Sequence, residues 1–466
     1  MSTQIVITES LELYPTKAPA LPYAPDVYNK EYHNQLNSIL RLYFNTLDQF
    51  IAQLMASTST LPVSIGGTNT DAFGRLRVSQ PYTLFDSQNR YAADNQFDVA
   101  TTGTGTTTYL SNEAAVKMEV TAGGVGSVKR QSYRSFPYQP GKGLLVLATF
   151  VMDSSQNVNL TQRVGYYNDN NGVFFQRVDG VYSFVLRSSS TPTPGTPSDI
   201  RTVNQSSWNG DKLDGTGASG LTLDPSKAQI LWMDFEWLGV GSVRCGFIID
   251  GEYIVCHTFQ NANDITSVYM TTAILPVRYE ISTSSALAAS MKAICCSVVS
   301  EGGFEQISID HVARRTTAFT NIDTAATFYP IVSIRLAAGR TGAVVLPNRV
   351  QFLPLTNQNY EIALLKNPTL TGATWAATVP TDSNVEFDVA ATAITNVGTI
   401  VQTDYITSTG SGGTQDTAAP TGYNWDLQLG ASISGTSDVY TLAVRTVDGA
   451  TKGSGVGSLS FYDLTQ

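Results

Sequence analysis

The chain has 466 residues, too many for one ordinary hydrophobic core, and only 14% of them are charged. A formal net charge of −10 argues against a phosphate-binding face of clustered Lys and Arg, so nucleic acid is not an expected partner. The 38 glycines and 22 tyrosines, with frequent Thr and Ser, favour short strands joined by tight turns, and a mainly β fold of two or three domains is expected.

Residues 1–30 carry Ile5-Val6-Ile7 and then Pro15, Pro19, Pro22 and Pro25. Prolines at that density fix φ and remove amide donors, so the segment reads as an extended arm that cannot fold alone. It is either a disordered tail or an anchor that orders on a neighbouring protein. The N-terminus lacks a basic region followed by an apolar one, and no run reaches the roughly 20 apolar residues of a membrane span; synthesis in a cytoplasm without membrane insertion is expected.

Residues 26–55 form the one convincing helix. Leu36, Leu40, Tyr43, Leu47, Phe50 and Leu54 recur in steps of four and three, the spacing of a coiled-coil seam, and Ile39 and Ile51 widen it. The same stripe suits an amphipathic helix packed on its own domain. Its place between a Pro-rich arm and a Ser/Thr run, Ala56–Thr60, which reads as a linker, points instead to self-association. Bulky Tyr43 and Phe50 in the seam favour three strands over two, and the expected assembly is a homotrimer held by residues 1–60.

From residue 61 to 330 the chain reads as one large β-sandwich, with a lectin-like jelly roll similar to concanavalin as the favoured topology. Asp179-Gly180 and Asp250-Gly251 each separate two β-rich runs and predict tight hairpins, the first of which sets Phe175 opposite Phe184. Residues 331–466 read as a smaller C-terminal β-sandwich, with an exposed loop over residues 408–422 followed by Tyr423 and Trp425.

Groups able to do chemistry are sparse. His33, His257 and His311 lie far apart and show no zinc-ligand spacing, and no catalytic residue, metal site or cofactor is assigned. Asp234 and Glu236 alternate along one strand and could present two carboxylates as a glycosidase does, but exposed acids on a half-buried strand explain them more simply. Asn168-Asp169-Asn170-Asn171-Gly172, and Asp211 with Asp214, offer oxygen ligands to calcium without EF-hand spacing; the first reads as a turn between strands. The Asp250-Gly251 turn sets Cys245 directly opposite Cys256 at a hydrogen-bonded position, where packed thiols are expected. Vicinal Cys295 and Cys296 should face opposite ways. Trp208, Tyr423 and Trp425, in or beside expected loops like Tyr166 and Tyr167, are the candidate glycan contacts.

Several long motifs carry a family resemblance: LPYAPDVYNKEYHNQLNSILRLYFNTLDQF (21–50), DAFGRLRVSQPYTLFDSQNRY (71–91), RVGYYNDNNGVFFQ (163–176), WNGDKLDGTGASGLTLD (208–224), FEWLGVGSVRCGFIIDGEYIVCHTF (235–259) and LPVRYEI (275–281). In this order they resemble virion structural proteins of tailed phages, especially marine ones, as VSIRLAAGRTGAVVLPNRV (332–350) does more loosely. The resemblance implies a non-enzymatic tail-associated fibre or spike subunit, joined to other virion proteins through residues 1–30 and contributing to host attachment. A head decoration, head-fibre or neck position is the alternative placement. A carbohydrate-binding adhesin that recognises host surface glycans is the alternative function.

Overall fold

The computed structural model describes residues 21–23, 26–60, 81–154, 158–190, 195–305, 307–323, 327–377, 383–407, 415–418, 425–447 and 452–465, with backbone only for 49–50, 52–60 and 415–418. Two compact units divide the chain, residues 1–66 and 67–466.

The first unit holds the helix α1, Lys30–Thr60. Asn29 caps it, its Oδ1 accepting from the amides of Glu31 at 2.8 Å and Tyr32 at 3.3 Å. The Ser/Thr run expected to be a linker is its last turn and a half, because extending an existing helix costs far less than starting one. Leu36, Ile39, Leu40, Tyr43 and Leu47 are half-buried, whereas Phe44 and Ile51 at one edge of the stripe are exposed. Phe50 and Leu54 have side chains outside the described residues, as does most of the arm.

The second unit is all β among its described residues, apart from two short 3-10 turns. Its first sandwich contains β1 (Tyr82–Gln88), β2 (Phe97–Gly103), β3 (Gly105–Leu110), β4 (Ala115–Val120), β5 (Gly126–Ser132), β6 (Gly143–Met152), β7 (Leu160–Tyr167) and β8 (Gly172–Val178). It continues with β9 (Val181–Ser188), β10 (Ser198–Asn204), β11 (Gln229–Phe235), β12 (Val243–Ile249), β13 (Glu252–Phe259), β14 (Val277–Thr283) and β15 (Ala289–Glu301). One sheet runs β13-β12-β11-β6-β15-β4-β3, with β1 also pairing β15, and the other runs β10-β9-β8-β7-β14-β5-β2. Their inner faces meet in one core, where Phe175 of one sheet packs edge-on against Phe247 of the other at 5.2 Å.

Local turn chemistry is obeyed. Asp179 and Gly180 take φ of 50° and 82°, Asp250 and Gly251 take 53° and 84°, and Phe175 pairs with Phe184. The second hairpin departs from the expected register, because a bulge beyond the turn sets His257 rather than Cys256 opposite Cys245. Both thiols are free and buried, and burial raises their pKa. Cys295 is exposed and Cys296 buried, on opposite faces as expected.

The second sandwich begins earlier than residue 331. It comprises β16 (Ile309–Ile322), β17 (Tyr329–Leu336), β18 (Val345–Pro354), β19 (Asn359–Lys366), β20 (Thr369–Thr371), β21 (Ala376–Ala377) and β22 (Val385–Asp388), then β23 (Ala393–Asn396), β24 (Thr399–Thr407), β25 (Gln415–Ala418), β26 (Val439–Thr446) and β27 (Gly453–Asp463). One sheet is β16-β27-β18-β25; the other is β21-β22-β17-β26-β19-β24. β16, expected in the first sandwich, pairs along its length with the last strand, β27. Tyr329-Pro330 looks like a boundary because proline cannot donate to a ladder, yet Pro330 sits inside β17 at a register shift, and Pro347 does the same in β18.

His257 is the histidine whose surroundings bear on stability. It is 7% exposed, lies edge-on to Phe259 at 4.5 Å and accepts from the Asn209 amide through Nδ1 at 3.4 Å. Burial, then the Arg201 guanidinium, lowers its pKa to about 4. The unfolded chain therefore takes up this proton first, near pH 6.5, and the contribution is fully present above that pH and lost as pH falls towards 4. Up to about 3 kcal/mol is expected to disappear over that window. Urea midpoints of His257→Gln should show a correspondingly flatter pH dependence between 6.5 and 4; an unchanged slope would exclude His257 as the source.

Candidate functional site

Of the residues singled out for glycan contact, Trp208 belongs to the core. Trp208 is 2% exposed, packs on Phe184 at 4.7 Å between ring centroids and donates Nε1–H to Val203 O at 3.1 Å. Its loop folds back because Asp211 accepts from the amides of Leu213 and Ser219, and Asp214 from Thr216. Tyr166 and Tyr167 are fully buried. Tyr423 lies outside the described residues.

Trp425 fastens the two sandwiches together. Its Nε1–H donates to Tyr82 Oη at 2.8 Å, its ring stands edge-on to Phe304 at 5.1 Å, and its carbonyl accepts from Arg134. The chain beyond it continues along the first sandwich: Gln428 Nε2 donates to Ser135 O at 2.7 Å, Ala431 N to Tyr133 O at 2.9 Å, and Ile433 N to Asp98 Oδ2 at 2.7 Å. Trp425 is thus half-buried, with its N–H and one ring edge engaged at the junction.

The acids are engaged as well. Asp234 and Glu236 are both fully buried, against the expectation of exposed acids, and Arg244 holds both oxygens of Asp234 from the neighbouring strand. That removes the pair as an open two-carboxylate centre. The Asn168–Gly172 segment is a turn between β7 and β8 in which Asn168 Oδ1 accepts from the amides of Asn170 and Asn171, each at 2.8 Å. Burial opposes ionisation of Asp169, but Arg278 at 2.5 Å and Lys129 at 3.2 Å outweigh it and lower its pKa.

Two clefts open beside the junction of the sandwiches. The larger, about 540 Å³, is walled by Trp237, Tyr138, Ile274 and Ile307, with Thr271, Thr272 and Thr465 at its rim. Trp237 follows β11 into a tight loop: Leu238 and Gly239 take φ of 34° and 78°, and Gly241 N closes onto Trp237 O at 2.9 Å. A Cβ at Gly241 would lie 1.7 Å from Glu236 O, so only glycine permits this turn. The indole N–H is spent on Met270 O at 3.2 Å and Tyr138 stands edge-on to the ring at 6.1 Å, which fixes the indole while leaving it partly exposed.

One wall of this cleft is a polar clip. Gln139 Nε2 donates to Glu305 O at 2.6 Å, Gln139 Oε1 accepts from Glu305 N at 2.9 Å and from Lys142 Nζ at 3.0 Å, and Lys142 stands 3.6 Å from the largely exposed Glu305 carboxylate. No histidine or cysteine lines the cleft among the described residues. What it offers is an immobilised aromatic face, hydroxyls and one balanced charge pair, a set suited to binding an uncharged ligand with one apolar side. Sequence reading missed it because its walls come from five distant segments. The local signal was the Trp237-Leu238-Gly239 exit from a strand.

The smaller cleft, about 180 Å³, is lined by Tyr133, Asn168–Asn170 and Arg278 of the first sandwich and by Thr341, Gly342 and Ala431–Ile433 of the second.

No family model and no curated protein matches the chain. Solved structures similar to it include the carbohydrate recognition domain of Emp47p, at 8% identity and TM-score 0.30 over 47% of this chain and 97% of that one. Others are the cellulose induced protein Cip1, at 13% identity and TM-score 0.28 over 46% and 96%, and a legume lectin-like domain from Entamoeba histolytica, at 11% and 0.27 over 43% and 89%. The likeness is one of β-sandwich architecture, at identities and TM-scores too low to carry a ligand or an activity across.

Proposed function

We propose that the protein is a non-enzymatic carbohydrate-binding subunit whose ligand lies against Trp237 in the larger cleft. One observation carries this reading: an indole with its N–H already satisfied, edge-supported by Tyr138, forms a partly exposed wall of a cleft of about 540 Å³ whose rim is hydroxyl-bearing. A sugar ring presents an apolar C–H face and an equatorial belt of hydroxyls, which matches such a wall and rim. Glycan-array binding of the full chain, followed by titration of the best ligand, tests it. Trp237→Ala should weaken binding at least about tenfold, equivalent to about 1.4 kcal/mol, with the thermal midpoint little changed. Absence of binding by the wild type, or unchanged affinity in the variant, would exclude this cleft. Trp208→Ala serves as the contrast, since its effect should be on stability.

A second reading, compatible with the first, is supported by α1. Its apolar stripe, bordered by exposed Phe44 and Ile51, fits self-association into a trimer. With the resemblance of motifs in residues 21–281, and more loosely 332–350, to phage structural proteins, it supports reading the chain as a tail-associated virion subunit, with a head or neck position as the alternative, in which residues 1–30 would meet other virion proteins and the sandwiches host glycans. Deleting residues 1–30 should abolish incorporation into particles while leaving a folded oligomer, and retained incorporation would sink the anchoring role.

A further inference from the structure

We infer that the smaller cleft between the sandwiches is a second, independent binding site, taking one uncharged pyranose-sized sugar through hydrogen bonds to both sandwiches. Its size, about 180 Å³, equals about six waters at a share of about 30 Å³ each, which is room for one sugar ring with its hydroxyls. Clefts that enclose drug-sized ligands begin at about 300 Å³, so a longer glycan would have to extend outwards.

The lining is built and already oriented. Arg278, 2% exposed, is held by Gln131 Oε1 at 2.7 Å and by Asp169, and its guanidinium lies over the Tyr167 ring at 5.2 Å. Asn170, Asp169, Ser135 and Thr341 all line the cleft, and among the described residues the Asn170 side-chain amide, Asp169 Oδ2 and the Ser135 and Thr341 hydroxyls make no side-chain hydrogen bond, which leaves donors and acceptors in the lining for a ligand. Adjacent sugar hydroxyls each donate and accept, and planar amide, carboxylate and guanidinium groups satisfy them in pairs. Two cations, Arg278 and Lys129, share the Asp169 carboxylate, and a second carboxylate, Asp98, holds the Tyr133 hydroxyl and the Ile433 amide of the lining, so the charges around the cleft cancel and call for no anionic ligand.

Because Thr341, Gly342 and Ser432 belong to the second sandwich, a bound sugar would touch both bodies. Occupancy should then raise the thermal midpoint of the full chain by mass action.

The test uses the full chain with D-glucose, D-galactose, D-mannose and N-acetyl-D-glucosamine as probes, read by saturation-transfer NMR and by thermal midpoint. Gly342→Phe should block the cleft, since an added Cβ meets only Ser135 Oγ, at 3.9 Å, and Asn170→Ala removes an exposed amide without touching the core. At least one probe should bind with a Kd on the order of 1 mM, weakened about tenfold or more by Gly342→Phe and several-fold by Asn170→Ala. Trp237→Ala should leave that binding within about twofold, which separates this site from the larger cleft. Failure of all four sugars to bind overturns the proposal. So does binding that neither Gly342→Phe nor Asn170→Ala affects, or that Trp237→Ala removes.

Discussion

Replacing Asp234 by Asn is expected to destabilise the first sandwich by about 3–5 kcal/mol, although the side chain keeps its shape. Asp234 on β11 stands directly opposite Arg244 on β12. The guanidinium donates through Nε to Oδ1 at 2.8 Å and through Nη2 to Oδ2, with the carboxylate side chain 1% exposed and the arginine 13%. Inside the fold the two charges compensate each other's lost hydration. An amide cannot do so, and the arginine would stay where water hardly reaches. The surroundings offer no easy retreat: the neighbouring pair on the same face is Trp232 against Gly246, where a Cβ on the glycine would lie 1.8 Å from Ile254 O and 2.9 Å from the indole nitrogen.

The measurement is urea unfolding followed by tryptophan fluorescence, with Asp234→Asn compared to the double variant Asp234→Leu with Arg244→Met. The single change should lower the midpoint without altering its slope, and the double change should recover most of the loss, because an apolar pair of similar volume carries no desolvation cost. A single-variant loss below about 1 kcal/mol would mean that water reaches the pair and screens it.

This pair also marks where the sequence stopped being informative. Turns written in two adjacent residues were legible: Asp179-Gly180 and Asp250-Gly251 fold as tight hairpins because glycine accepts positive φ and aspartate tolerates it. The alternation that put Asp234 beside apolar neighbours was legible too, but not its burial, which depends on which residue the next strand places opposite. Counting from the Asp250-Gly251 turn fails one step short of Cys245 because a bulge absorbs a residue, and nothing in VRCGFII announces it. Proline misled in the other direction. Pro330 suggested a domain boundary, yet a bulge inside β17 accommodates it, and β16, 14 residues long, joins the second sandwich only because β27 returns from the far end of the chain.

The clefts extend the same lesson. Tyr138, Trp237, Ile274, Ile307 and Thr465 are gathered from segments up to 327 residues apart, so no spacing rule could unite them. Trp208 and Trp425 drew attention as aromatics in loops, but one fills the core and the other the junction. Loop position in the sequence does not decide whether an indole faces water; what its N–H and its ring faces meet does.

Under the proposed self-association of α1, Leu40→Asp with Leu47→Asp is expected to lower the solution mass from that of three chains to that of one, the largest effect any surface change should have on this protein. Helical periodicity places Leu36, Leu40, Tyr43 and Leu47 within about 60° of one another, with Ile51 and Phe44 continuing the face on one side. From Leu36 to Ile51, about 24 Å of helix, that face is long enough for several layers of knobs into holes. Charges at two layers would be buried without partners in a closed bundle, at several kcal/mol each, while exposed on a lone helix they cost little beyond propensity. Exposed Leu42, on the opposite side of α1, supplies the control, since Leu42→Asp should leave the mass unchanged. Solution mass by light scattering separates three outcomes. A wild-type trimer that dissociates only in the double variant supports the seam; a variant that keeps its mass transfers the contact to the sandwiches; a wild type already of single-chain mass removes self-association through α1, and with it the main structural support for a fibre-like subunit.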